Sequence, residues 1–212
     1  MPPQFRPPVR MNGLRIRHEP LERSHAAALV RLGSRPEIWQ FMSYGPFPDT
    51  PSMESHVQEL LRRQTAGTDL PFAVVRQLDG VAIGMTRFLN IDRENESAEI
   101  GGTWLDPAMW RGPYNTESKR MMLAHAFEVE GAHRVSIRTD LRNERSQRAI
   151  ERIGGRREGI LREERIVRNG YRRSTVVYSV LADEWPDIRR RLDDWIARAI
   201  DGAGGALPSS PY

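Results

Sequence analysis

The sequence predicts an α+β domain built on a mostly antiparallel sheet of about seven strands. Three observations lead there. Short alternating segments bounded by turn residues fill residues 13–105, the pattern then switches to helix, strand and helix, and the chain closes on two long strands that meet at Asn169 and Gly170. At 212 residues the chain suits one large domain and is short for two.

Residues 1–11 are rich in Pro and Arg, and residues 201–212 in Gly, Pro and Ser, so both ends are expected to be flexible tails around a single domain at residues 12–200. Gly13 to Pro20 alternates as a first strand. Leu21 to Gly33 follows with a helical pattern that glycine can end, and Ile38 to Pro48 is an aromatic loop or short helix. Thr50 and Pro51 open a helix running to about Ala66, because Thr caps and Pro is tolerated in the first turn. Phe72–Arg76 and Val81–Asn90 form a hairpin around Leu78, Asp79 and Gly80, and Ser97–Leu105 extends it as a meander. A helix is predicted from about Asn115, with Met121, Met122, Phe127 and Val129 at helical spacing. Then come a strand at Arg134–Thr139, a helix at Asn143–Ile153, strands at Arg157–Val167 and Arg172–Leu181, and a last helix from near Glu184 and Pro186.

Composition removes whole classes of chemistry. With no cysteine there is no disulfide, no thiolate metal site and no thiol nucleophile. The histidines at positions 18, 25, 56, 125 and 133 lack metal-ligand spacing, so no metal is expected, and His125 reads as a solvent or dimer-face residue. No apolar run approaches the ~20 residues of a membrane span, and the first residues lack the apolar core of a secretory signal, so a soluble, cytoplasmic chain is expected. The isoelectric point near 9.9 invites a nucleic-acid reading. Yet the net charge is +4, the arginines alternate with acids, Lys119 is the one lysine, and no continuous basic stripe with stacking aromatics is visible.

The Gly101–Gly102 pair lies inside a strand, where glycines mark a bulge or a close approach. A gap between this strand and the one at Val135 suits an extended ligand whose amides pair with the exposed edges, as pantetheine can. The loop that follows points N–H groups at whatever precedes the next helix, a place that favours a pyrophosphate, and Arg111 and Lys119 add charge nearby.

Three blocks, AEIGGTWLDP leading to WRG, HAFEVEGAHRVSIRTDLRNERSQRAIERIGGRREGILR and NGYRRSTVVYSVLADEWP, resemble the GNAT superfamily of N-acetyltransferases. Within it they are similar to the RimJ/RimL-like branch that acetylates ribosomal-protein N-termini. The resemblance spans nearly the whole chain and implies the GNAT fold: a central, mostly antiparallel, splayed mixed sheet of about seven strands with helices on both faces. It also implies acetyl transfer from acetyl-CoA to a primary amine by direct attack. By the same resemblance, Trp104 and Leu105 offer backbone groups to pantetheine, Arg111, Gly112, Pro113, Tyr114, Asn115 and Thr116 wrap the pyrophosphate, and Asn143 and Ser146 lie beside the pantetheine arm and the sulfur.

The loop departs from the family pattern. It keeps Arg111 and Gly112 but is one residue short, and it places Tyr114 and Thr116 where small residues are usual. Pro113 has no N–H to offer. The chemistry needs a base for the amine proton, a donor to the carbonyl oxygen and a proton for the thiolate. Glu99 is the candidate base and Ser146 the candidate proton donor. Glu99 also reads as the partner of an arginine, and Asn143 with Ser146 as a plain helix cap. Trp39, Phe41, Tyr44 and Phe47 either wall the acceptor site or form an aromatic mini-core. The alternatives to an enzyme are a catalytically inactive acyl-CoA-binding or ribosome-associated GNAT-fold protein and a basic RNA-binding module. A homodimer through the C-terminal strands and helix is compatible with the sequence. The amine acceptor is either a protein N-terminus or a small molecule.

Overall fold

In the segment LPFAVVR the side chains alternate Phe72 and Val74 with Ala73 and Val75, and all four are buried. A strand buried on both faces needs cover on both, and the computed structural model, which describes residues 3–7 and 9–200, shows it. Phe72 and Val74 join one core with Met121, Met122 and Leu123, while Ala73 and Val75 join a second with Leu29, Leu32, Met53 and Val57.

The elements run β1 Met11–Asn12, β2 Ile16–Pro20, α1 His25–Gly33, α2 Pro36–Trp39, α3 Thr50–Thr65, β3 Leu70–Arg76, β4 Ala82–Asp92 and β5 Ser97–Leu105. Then follow α4 Tyr114–Ala124, β6 Arg134–Asp140, α5 Glu144–Arg152, β7 Arg156–Ile166, β8 Arg172–Leu181 and α6 Trp185–Ile200. They build one eight-stranded sheet in the order β1-β2-β3-β4-β5-β6-β8-β7. Every neighbouring pair is antiparallel except β5 with β6. Helices α1 and α3 cover one face, while α4 and α6 help cover the other.

The α+β sheet expected from the sequence is present, with eight strands rather than about seven, because a two-residue strand at Met11–Asn12 precedes the expected first strand. Gly13 N–H donates to the Ile16 carbonyl at 2.9 Å, and this turn separates a two-residue β1 from β2. Helix α3 begins where expected, but its cap is Asp49, one residue earlier than Thr50: the carboxylate accepts the Ser52 N–H at 2.9 Å in a capping box. Val129, expected on an apolar helix face, is 71% exposed, because α4 passes into a π-helical turn over His125–Val129 that shifts the register. The same turn brings His125 inward, where it is buried 3.3 Å from Glu130 and near Phe5 and Phe88, so it is not a surface residue.

Part of the segment expected as an N-terminal tail is packed. Phe5 is 2% exposed with its ring 4.9 Å from that of Phe88, and the Glu130 carboxylate accepts the N–H groups of Gln4 and Phe5 at 2.8 Å each. One buried aromatic side chain outweighs the local preference of Pro-rich composition for open chain. The expected C-terminal tail, residues 201–212, lies outside the described residues. No helix among the described residues is long and apolar enough to cross a membrane.

Replacing Phe5 by Ala is expected to destabilise the protein by about 3 kcal/mol through the cavity left against Phe88. Urea unfolding checks it. A change within about 0.5 kcal/mol, the range of an ordinary surface substitution, would remove this segment from the core.

Candidate functional site

Strands β5 and β6 pair only at Ser97–Arg134, Ala98–Val135 and Glu99–Ser136, and beyond Glu99 they separate. The cause lies on the other edge of β5. Opposite β4 the register runs from Arg87–Gly101 to Met85–Trp104, so β5 carries one extra residue and bends away from β6. Gly102 makes the bend at φ +58°, where a Cβ would also lie 3.0 Å from Arg87 Nε. The fork opens a cleft of about 360 Å³ between the two strands and helices α4 and α5.

Of the residues expected at the site, Glu99, Trp104, Leu105, Arg111, Gly112, Asn115, Asn143 and Ser146 line this cleft. Pro113, Tyr114 and Thr116 are not among its lining. Pro113 is the N-cap of α4 and Tyr114 its first residue. Two positions on, each advancing about 100° around the axis, Thr116 is carried into the interior, where its hydroxyl is fully buried and has no hydrogen-bond partner among the described residues. The Thr116 hydroxyl is therefore turned away from the space in front of the helix, which leaves only its backbone N–H, in the first turn of α4, to face that space.

At the α4 end, Arg111 adopts φ +66°, a conformation that costs a non-glycine residue about 1 kcal/mol and that concentrates at functional sites. It turns the chain so that Gly112 and the first N–H groups of α4 meet the cleft. Arg145 of α5 stacks 3.6 Å from the Trp110 ring, while the Trp110 indole N–H donates to the Leu105 carbonyl at 3.1 Å. Burial and the neighbouring Arg111 charge hold the Arg145 pKa below its usual value. Two guanidinium groups thus stand at one helix N-terminus, a setting for an anion. Sequence reasoning missed Trp110 and Arg145. Both lie inside motifs that it used, but nothing in their spacing shows that they stack.

At the fork, Glu99 is 8% exposed. Its Oε2 accepts from Asn90 Nδ2 at 3.0 Å and lies 3.3 Å from Arg138 Nε. Burial raises its pKa above the ordinary 4.5, against the opposing pull of Arg138, Asn90, Arg165 and Arg87. Across the cleft, Asn143 caps α5 by accepting the Ser146 N–H at 3.1 Å. The Ser146 hydroxyl has no hydrogen-bond partner among the described residues, so capping occupies the serine's backbone and leaves its side chain to the cleft.

Lys119, expected to add charge near the loop, lines the cleft from a buried position. It is 5% exposed, and its Nζ donates to Thr103 Oγ1 at 2.5 Å and Thr86 Oγ1 at 3.4 Å. Burial brings its pKa down to about 7. The aromatic loop forms a mini-core and also lines the cleft. Trp39 is buried with its ring 5.1 Å from Phe47 and 5.3 Å from Trp104, while Phe41 and Tyr44 line the cleft. The β7–β8 turn reaches over to this loop: Arg168 donates to the carbonyls of Gly45, at 2.7 Å, and Trp39. Beside it the Arg142 guanidinium stacks on Tyr171 at 3.6 Å and lies 5.7 Å from the Phe41 ring.

Comparison with known proteins agrees with this geometry. Residues 15–156 match the family model described as an acetyltransferase (GNAT) domain. A protein of Bacillus subtilis (strain 168), named as a candidate ribosomal N-acetyltransferase, YdaF, is 30% identical over 172 residues, covering 79% of this chain and 90% of that protein. A crystal structure of a GCN5-related N-acetyltransferase from Brucella melitensis superposes with a TM-score of 0.87 at 28% identity, covering 99% of this chain and 96% of that one. The fold is also shared with Mycobacterium smegmatis RimJ in complex with CoA-disulfide, at TM-score 0.78 and 24% identity over 92% of this chain and 97% of that one.

The buried lysine has a measurable signature. Because folding lowers its pKa from 10.5 to about 7, the unfolded chain binds the extra proton between those values, and stability contributed through Lys119 rises with pH across that window. The slope is at most about 1.4 kcal/mol per pH unit. Urea unfolding at pH 7.5 and 9.5, values chosen on the order of one unit inside the window, is expected to show this gain in the wild type and its loss in Lys119→Met. Equal pH dependence in both proteins would contradict it.

Proposed function

The chain belongs to the acetyltransferase (GNAT) domain family, and we propose that it transfers the acetyl group of acetyl-CoA to a primary amine, at a protein N-terminus or on a small molecule, by direct attack without a covalent enzyme intermediate. The observation that carries this reading is the fork: a buried carboxylate stands where two strands part, with an arginine-flanked helix N-terminus at the other end of the same cleft. Acetyl-CoA is the donor of the family. The donor set here fits it. The free edge of β5 beyond Glu99 suits the amides of a pantetheine arm, and Arg111, Gly112, Asn115 and Arg145 suit a pyrophosphate.

Glu99 takes the amine proton, directly or through a water molecule. Its raised pKa brings it nearer the proton it must accept. The nitrogen bonds to the acetyl carbon as the carbon–sulfur bond breaks, and the Ser146 hydroxyl supplies the proton that leaves with the sulfur. The Bacillus subtilis relative's name makes a ribosomal-protein N-terminus the first acceptor to test. The missing N–H at Pro113 favours a second reading, acyl-CoA binding without turnover, as in a sensor or ribosome-associated protein.

Isothermal titration is expected to show saturable binding of acetyl-CoA and free CoA, weakened about tenfold or more in Arg111→Ala by loss of a charge-assisted contact. A wild-type protein that binds neither would overturn the cofactor site. With an acceptor in hand, kcat/KM is expected to fall as pH drops through the raised Glu99 pKa, and Glu99→Gln to lose about 100-fold or more together with that acidic limb. An unchanged pH profile in Glu99→Gln would exclude Glu99 as the base. Binding with no turnover of any amine would favour the second reading.

A further inference from the structure

Four guanidinium groups from four strands converge on the cleft around and beyond Glu99: Arg87 of β4, Arg138 of β6, Arg165 of β7 and Arg173 of β8. The carboxylates facing them are Glu99, Glu164 and, beside Arg87, the buried Asp69; Arg138 engages the first two, at 3.3 Å and 3.5 Å. Arg165 lies 3.9 Å from Glu164. Asp140 borders the same space, but Arg142 already holds it with side-chain hydrogen bonds of 3.0 and 2.8 Å and a backbone hydrogen bond of 2.9 Å. Arginines therefore outnumber the carboxylates free to answer them.

Arg87 and Arg173 are the two whose buried Nε goes unanswered by a hydrogen bond. Arg87, 9% exposed, has only Asp69 beside its Nε, at 3.3 Å, and the Arg173 side chain, 12% exposed, comes no nearer to Asp140 than 3.9 Å. In both, Nε is sealed from solvent and makes no hydrogen bond to the described residues. A buried donor on a charged group is costly when unanswered, and a planar carboxylate is the acceptor that fits a guanidinium fork. Burial also lowers the Arg173 pKa, the direction expected of a cation with too little compensating charge.

We propose that these arginines form a carboxylate subsite, so that the amine acetylated here carries a carboxylate close to its nitrogen, either on an Asp or Glu side chain just behind a peptide N-terminus or as the carboxylate of a free amino acid. The inference rests on the acetyl-transfer reading above and narrows its acceptor. The amine meets Glu99, and the carboxylate meets the guanidinium groups that line the same cleft, Arg173 among them. In the transfer step the amine nitrogen bonds to the acetyl carbon, the carbon–sulfur bond breaks, the amine proton passes to Glu99, and CoA leaves as the thiol with a proton from the Ser146 hydroxyl; Glu99 then loses its proton to water and the serine regains one from water.

The test reads binding, so it does not depend on turnover. Titrations of the full chain, with and without saturating CoA, compare the peptide Ser-Asp-Gly-Ala-amide with its Ser-Asn and Ser-Lys counterparts, and free serine with serinamide. The carboxylate member of a pair is expected to bind at least about tenfold tighter, through a contact that salt weakens. Arg173→Gln is expected to erase the preference and Arg173→Lys to restore part of it, while CoA titration of each variant reports that it is folded. A preference confined to the peptides assigns a protein N-terminus, and one confined to serine assigns a free amino acid. Equal binding within both pairs, tighter binding of the Ser-Lys peptide, or a preference unchanged in Arg173→Gln would overturn the subsite. Failure of every amine to be acetylated, with the carboxylate preference intact, would instead overturn the acetyl-transfer reading.

Discussion

Three residue pairs hold β5 to β6, and everything that makes this molecule more than a sheet follows from the pairing stopping there. A strand edge left open inside a domain exposes backbone groups that must find other partners. Here the separation is forced from both sides. The bulge at Gly102 draws β5 toward β4, while seven register pairs keep β6 against β8. Neither arm can close the fork without giving up its own ladder. One core backs both arms, since Ala98, Ile100 and Leu105 of β5 lie in it with Val135 and Ile137 of β6, while Trp104 of β5 lies in the other. Glu99 is the last residue before the split, so its burial and its raised pKa are properties of the fork as much as of the side chain.

Helix α4 shows how that geometry is anchored. Its residues Thr116, Glu117, Ser118 and Lys119 are polar and buried, a run that no amphipathic pattern would place inside. The interior supplies partners for three of them. Glu117 accepts the N–H groups of Leu14 and Arg15, the latter at 2.9 Å, Ser118 meets His18 at 2.9 Å, and Lys119 reaches Thr103 on β5. The turn between β1 and β2 is therefore fixed by a helix about a hundred residues later in the chain. One helix ties the first hairpin to the bulged strand and also presents its N-terminus to the cleft. His18, buried beside Lys119, has its pKa pushed down to about 3 and remains neutral alongside it.

The parts of this design that were legible in the sequence are those written locally. Alternation located the strands, Gly101 and Gly102 marked the bulge, and Asn143 marked a cap. The resemblance to a family added the site residues, and eight of them do share one cleft. What could not be read depends on contacts between distant segments. The burial of Lys119 could not be read because its partners, Thr86 and Thr103, come from distant strands. His125 looked exposed because a π-turn changes the face it occupies. Phe5 sat in a sequence whose composition suggested open chain, and its neighbour Phe88 lies far along the chain. The arginines around Glu99 were visible only as abundance. In a chain where basic residues are so common, which of them lack partners is a fact of tertiary structure.

The contact between Arg168 and the carbonyls of Trp39 and Gly45 fastens the β7–β8 turn to the aromatic loop. One guanidinium thereby couples two segments that lie far apart in the chain. The loop brings Phe41 and Tyr44 to the cleft, and the turn carries the Tyr171 ring on which Arg142 stacks. Loss of that single side chain would free the loop and the turn together, while both cores keep their own packing.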